Sequence, residues 1–222
     1  MGSDDPEQTL VKKLAGVIDE ERKQSKLSGL KLCTAHLNLA RKSFTEVWDT
    51  WWKGRLPPKL EVDVVLAFDD HSKLIDDALL LAVEVEYFKA GKRGHFYAGL
   101  DQAQAFAVFG FDGLVLWPLF REVERSTVES YGSAMKEVLD GFSLPIVYFA
   151  CELADDWKLK CVQPSAVEGD LVSTVRWMRN HFDDSKRRNP LLFKDRLPAY
   201  RPELADRIRQ RRRTLKTVLG IP

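Results

Sequence analysis

The segment LLLAVEVEYFK, residues 79–89, sets two carboxylates, Glu84 and Glu86, two positions apart in an otherwise apolar run. In an extended chain successive side chains alternate, so Glu84 and Glu86 share one face while Val83, Val85 and Tyr87 take the other. Neighbouring carboxylates repel, and burying them is costly unless a positive partner joins them. A third carboxylate precedes them: in LEVDVVLAFDD, Asp63 shares a face with Val65 and Ala67. If the two segments are adjacent strands, Asp63, Glu84 and Glu86 converge on one spot. Hard oxygen donors of that kind suit magnesium or manganese. The alternative is a half-solvated antiparallel sheet whose glutamates face water, and the alternation of VEVEYF fits it. Residues 79–83, apolar on both faces, argue instead for a covered strand.

These segments must be held by the rest of the chain. Leu10, Leu14, Val17 and Ile18 fall at helical spacing and open the chain with an amphipathic helix over 6–24. LKLCTAHLNLA is compatible with either a strand or a helix. RKSFTEVWDTWWKG reads as a helix ended by Pro57 and Pro58; the spacing of Trp48, Trp51 and Trp52 there fits a core or contact face, with base stacking as the other option. The strands LEVDVVLAFDD and LLLAVEVEYF follow, then the loop KAGKRGH, the helix FYAGLDQAQAFAVFG and the strand FDGLVLWPLF. A helix over 122–140, strands LPIVYFACEL and DWKLKCVQP, and two closing helices complete the order. This is an α/β plan with a mixed central sheet flanked by helices.

On Asp63 and the spacing of Glu84 the chain resembles the PD-(D/E)XK nucleases, the restriction-endonuclease-like superfamily. Their pattern is an Asp on one strand, then an acidic residue, any residue and a Lys on the next, continued by a helix and a strand. LEVDVV and VEVE supply the acidic positions, and GLDQAQAFAVFGFDGLVLW the continuation. The resemblance spans roughly residues 40–120 and implies a core over 40–150, a helical extension over 1–39 and a C-terminal part over 151–222 with a basic end. It implies that Asp63 and Glu84 hold Mg2+ or Mn2+ and that phosphodiester bonds of nucleic acid, with DNA favoured over RNA, are hydrolysed. The sequence departs from the pattern where the Lys belongs, because that position holds Glu86. Glu86, or Lys89 if the strand bulges, would then orient the attacking water. Lys92 and Arg93 ahead of the helix, and Gln102 and Gln104 on it, would meet the nucleic acid. Duplex cleavage by two active sites would call for a homodimer. The departure also admits a catalytically silent nuclease-fold domain that binds nucleic acid or a protein partner.

Composition narrows the remaining classes. The formal net charge of +1 hides an asymmetry. From His181 onward twelve Lys/Arg face five Asp/Glu, a balance of +7, which leaves −6 for the preceding residues. Within that basic end Arg211, Arg212 and Arg213 are candidates for nucleic-acid contact, or else part of a solvated helix face. No apolar run approaches the roughly 20 residues of a membrane span. His36, His71, His95 and His181 lack the spacing of a zinc site. Cys33, Cys151 and Cys161 form no CxxC pair, and their odd number argues for thiols in a reducing cytoplasm.

Overall fold

A computed structural model describes residues 6–40, 61–91, 94–164, 168–199 and 201–222. The helix expected over 41–54, with its three tryptophans, lies outside the described residues, as do Lys92 and Arg93. The chain opens with α1 (Pro6–Lys23), which buries Val11, Leu14, Ala15 and Ile18. The undecided segment is a strand, β1 (Leu30–Asn38). β2 (Glu61–Asp69), β3 (Ala78–Lys89), α2 (Leu100–Ala105) and β4 (Gly113–Arg121) follow. Next are α3 (Arg125–Gly141), β5 (Ile146–Tyr148), β6 (Ala150–Leu153), β7 (Leu159–Gln163) and β8 (Glu168–Gly169). The helices α4 (Leu171–His181) and α5 (Glu203–Leu219) close the chain.

All eight strands form one mixed sheet in the order β1-β2-β3-β4-β6-β7-β8, with β5 also paired to β4. β1, β2 and β3 make an antiparallel meander, whereas β3, β4 and β5 run parallel. The parallel pairs require crossovers, and α2 and α3 supply them. One apolar layer packs Val83, Val85 and Trp117 against α1 and α4. The other packs Leu80, Ala82 and Leu116 against α2, α3 and α5. The chain is therefore an α/β protein with a mixed sheet flanked by helices. β1, which the sequence assigns to the extension over 1–39, belongs to this sheet, and the boundary at 150/151 falls inside β6.

Charge is buried where β3 and β4 begin. Asp112, just before β4, is fully buried, and its carboxylate accepts the Leu80 N–H at 2.7 Å. The same carboxylate oxygen accepts Arg212 Nη1 at 2.6 Å, and Arg188 Nη1 lies 3.8 Å from the other oxygen. Arg212 also grips Asp76 at 2.9 Å and donates to the Ala78 carbonyl, while Arg188 makes two 3.0 Å bonds to Asp70. Burial pushes the Asp112 carboxyl up to about 6 against the pull of the guanidiniums, so it stays ionised at neutral pH. Gly110 makes this clamp possible: its φ is 90°, and a Cβ there would stand 2.7 Å from the Arg212 backbone nitrogen. The helix α5 thus crosses directly over the turn that leads into β4.

Two sequence expectations change here. Arg212 is 1 % exposed and held in ion pairs, so it is a fold residue rather than a nucleic-acid contact. Helical rotation separates it from the exposed Arg213, and Arg211 is half-buried with Nη1 on the Val108 carbonyl. Cys151 and Cys161, paired across β6 and β7, form a disulfide, which leaves Cys33 over. That pairing removes the cysteine argument for a reducing compartment. Among the described residues no helix is long and apolar enough to cross a membrane.

Removing one partner of a buried ion pair typically costs about 3–5 kcal/mol, because the other charge is left uncompensated. Arg212→Ala should therefore lower unfolding stability by about that amount in urea, while Arg213→Ala should stay within about 0.5 kcal/mol of the parent. Equal, small effects for both would mean that the clamp does not hold α5.

Candidate functional site

β2 and β3 pair only from Val64 opposite Val83 to Asp69 opposite Ala78. Beyond Val83, β3 keeps its β4 neighbour but loses β2, so the N–H groups along its freed edge need other acceptors. Carboxylates take them. Asp63 Oδ2 accepts the Val85 N–H at 2.9 Å, and Glu7 Oε2, from α1, accepts the Tyr87 N–H at 3.1 Å. Asp63 thus turns its carboxylate to the strand edge instead of simply standing with Val65 and Ala67, as alternation alone suggests.

Glu84 and Glu86 occupy the sheet face on which α2 begins. Gly99, at the start of α2, has φ 72°, and a Cβ there would meet Glu86 Oε1 at 2.7 Å and Glu84 Cγ at 3.0 Å. Only a residue without a side chain lets the backbone close over both glutamates. Glu84 is 4 % exposed, and its Oε2 is buried with no hydrogen-bond partner. Burial, then the charges of Asp63, Glu86, Glu7 and Asp101, pushes Glu84 up to about 10. Burial, then Glu7, Asp63 and Asp101, pushes Glu86 up to about 7. Asp63 is also raised, by burial first, against the Val85 N–H that draws it down.

A second grouping touches the first. His36, Glu61 and Asp63 place potential ligand atoms within 4.8 Å of one another, the single such trio among the described residues. His36 Nδ1 lies 2.8 Å from Glu61 Oε1, and Nε2 lies 3.1 Å from the Gln8 carbonyl. The β1–β2 register sets His36 across from Asp63, with Ala35 opposite Val64 and Leu37 opposite Val62. Asp63, Glu84 and Glu86 do not form so tight a trio, although Asp63 raises the proton affinity of both glutamates and Glu86 raises that of Glu84.

Of the residues proposed from sequence, Asp63, Glu84 and Glu86 come together at the splayed end of β2 and β3. Lys89 does not join them. The β3–β4 register runs unbroken from Leu81 opposite Gly113 to Lys89 opposite Arg121, so no bulge turns Lys89 to the glutamate face. Gln102 and Gln104 are exposed on α2. Glu7, His36, Glu61, Asp101 and Gly99 escape the sequence pattern. Reading LKLCTAHLNLA as a strand antiparallel to LEVDVV would have brought out His36; nothing local marks Glu7, which lies some eighty positions from its partner Tyr87.

The chain matches no family model, no curated protein and no solved structure.

The site has a pH signature. A carboxyl whose folded pKa is raised binds a proton in the folded state that the unfolded chain has released, so its stabilising share is complete below the unfolded value and is lost as pH rises through the folded one. For Glu86 the loss begins near 4.5 and is complete just above about 7, for Glu84 it continues toward about 10, and Asp112 adds the same sign up to about 6. With divalent ions chelated, unfolding stability should fall as pH rises from about 5 to about 8. Glu84→Gln should flatten the slope and be more stable than the parent at the upper end. A flat parent profile would mean that the carboxylates are solvated.

Proposed function

We propose that the chain is a divalent-metal-dependent nuclease that hydrolyses phosphodiester bonds of DNA, with its active centre where β2 peels away from β3. The observation that carries this reading is the Glu84 carboxylate, buried and unpartnered, among Asp63, Glu86, Glu7 and Asp101. A buried carboxylate persists only when protonated or matched by positive charge. No cationic side chain is bonded to Glu84 or Glu86 among the described residues, and several convergent oxygens fit Mg2+ or Mn2+. The run β2–β3–α2–β4, with acids on the first two strands, also follows the order of elements in the PD-(D/E)XK nucleases.

On this reading Asp63 and Glu84 hold the ion, with Asp63 Oδ2 fixed by the Val85 N–H so that the carboxylate is oriented beforehand. The bound ion supplies Lewis acidity toward a phosphate oxygen and makes water easier to deprotonate. Glu86, beside Glu84 on the same face of β3, would be placed to accept a proton from the attacking water. It takes the role the family gives to Lys. Gly99 lets the start of α2 lie against both glutamates. The second reading, a silent nuclease-fold domain that binds nucleic acid, draws on one observation: Lys89 faces away from Glu84 and Glu86, so β3 brings no lysine to the centre.

Plasmid nicking with and without millimolar Mg2+ or Mn2+ separates the two. The parent should nick only with metal, and its melting temperature should rise with metal by mass action. Asp63→Asn and Glu84→Gln should remove the melting shift and lower nicking by more than roughly a hundredfold, beyond the loss expected from an outer partner of a ligand. A melting shift without nicking would favour the silent domain; neither shift nor nicking would sink the metal centre.

A further inference from the structure

On the other face of β3 from the glutamates lies a cleft of about 510 Å³. It is bounded by α1, by the C-terminal ends of β3 and β4, and by the turn between β6 and β7. Thr9, Lys13, Tyr87, Arg121, Asp155 and Trp157 contribute to its wall. Parallel strands of α/β sheets commonly present their carboxyl ends to ligands, and β3 and β4 are such a pair.

The side chains of the cleft sort by chemistry. Lys13 is exposed and has no ion pair among the described residues. Arg121 is paired with Asp155, whose side chain is 86 % exposed. An exposed pair of that kind is weak, and a phosphate competes well for the guanidinium. Lys89, opposite Arg121 in the register and on the face of Tyr87, adds positive charge nearby. Trp157 is half-buried and has φ 61°, a left-handed backbone that a bulky residue adopts only when its surroundings hold it there. Cations beside a fixed aromatic ring are what a single-stranded nucleic acid needs, since phosphates require charge and unpaired bases require a stacking surface.

The cleft is joined to the carboxylate centre. Tyr87 follows Glu86 directly, and its N–H is held by Glu7, whose neighbours on α1 line the cleft. We infer that this cleft binds one nucleotide of a single-stranded nucleic acid, with its phosphate on Lys13 and Arg121 and its base on Trp157. The inference deepens the nuclease reading and rests on its nucleic-acid substrate. It gives Lys89 a place on the binding side of the sheet rather than at the reacting phosphate.

The test is fluorescence anisotropy of a short labelled oligothymidylate with the full chain in chelator, so that no cleavage intervenes. Lys13→Ala should weaken binding and reduce the slope of log affinity against log salt by about 0.7, the share of one phosphate contact on a single strand. Trp157→Ala should weaken binding by about tenfold through loss of stacking, and Trp157→Phe should restore most of it. Because Lys13 is exposed, its variant keeps the test valid should Trp157→Ala melt early. Parent-like affinity and salt slope in Lys13→Ala would overturn the cleft, as would a parent that does not bind. A parent that never nicks DNA, yet loses oligothymidylate binding in Lys13→Ala, would end the nuclease reading and uphold the cleft.

Discussion

The fold depends on how buried charge is compensated at the start of β3 and β4. Asp112 sits in the apolar interior, and it is tolerable there because Arg212, Arg188 and the Leu80 N–H surround it. Each arginine comes from the C-terminal quarter of the chain, so one carboxylate recruits α5 and the segment before it onto the sheet. The Leu80 bond also joins the beginnings of β3 and β4, and the two strands then run in register for nine residues. The relative heights of Glu84, Glu86 and the β4 residues beside them follow from that origin.

The opposite end of the same strands breaks the rule that the first end obeys. Glu84 is nearly as buried as Asp112, but other carboxylates surround it instead of guanidiniums. Opposite charge holds Asp70 and Asp76 below the ordinary carboxylate range despite their burial, and like charge adds to burial in lifting Glu84 and Glu86 above it. The two buried acids differ in their neighbours: Asp112 Oδ1, like Glu84 Oε2, accepts no hydrogen bond, but among the described residues two guanidiniums stand beside Asp112 and none beside Glu84. Leaving Glu84 without a partner is a local cost that the rest of the sheet sustains, and such costs concentrate where a ligand completes the structure.

The two faces of β3 divide the work on this view. Glu84 and Glu86 face α2, whose Gly99 lies against both, and Tyr87 lies toward α1 and the β6–β7 turn, with Lys89 on the same face of β3. The freed edge between them is closed by Asp63 and Glu7, each accepting a backbone N–H that β2 has left unpaired. The splaying of β2 therefore frees the backbone N–H donors that fix these two carboxylates.

The sequence alone determined the order of the central elements β2, β3, α2 and β4, because runs such as LEVDVVLAFDD and LLLAVEVEYF have the length and composition of strands, and alternation alone put Glu84 and Glu86 on one face; it left β1 undecided, merged β5 with β6 and did not show β8. It also marked Asp63 as their companion, since acids are rare in apolar strands. What it could not determine was set by long-range pairing. His36 meets Asp63 only through the antiparallel register of β1 and β2, and Glu7 reaches Tyr87 only because α1 packs across the sheet. Arg212 and Arg213 are neighbours in an arginine run, yet helical rotation and the close approach at Gly110 bury one and expose the other. The cysteine count missed the disulfide for the same reason, because Cys151 and Cys161 become opposite only when β6 and β7 pair. Periodicity is a property of neighbouring residues and survives in the letters, whereas the partner of a charge is fixed by which distant elements the packing brings beside it.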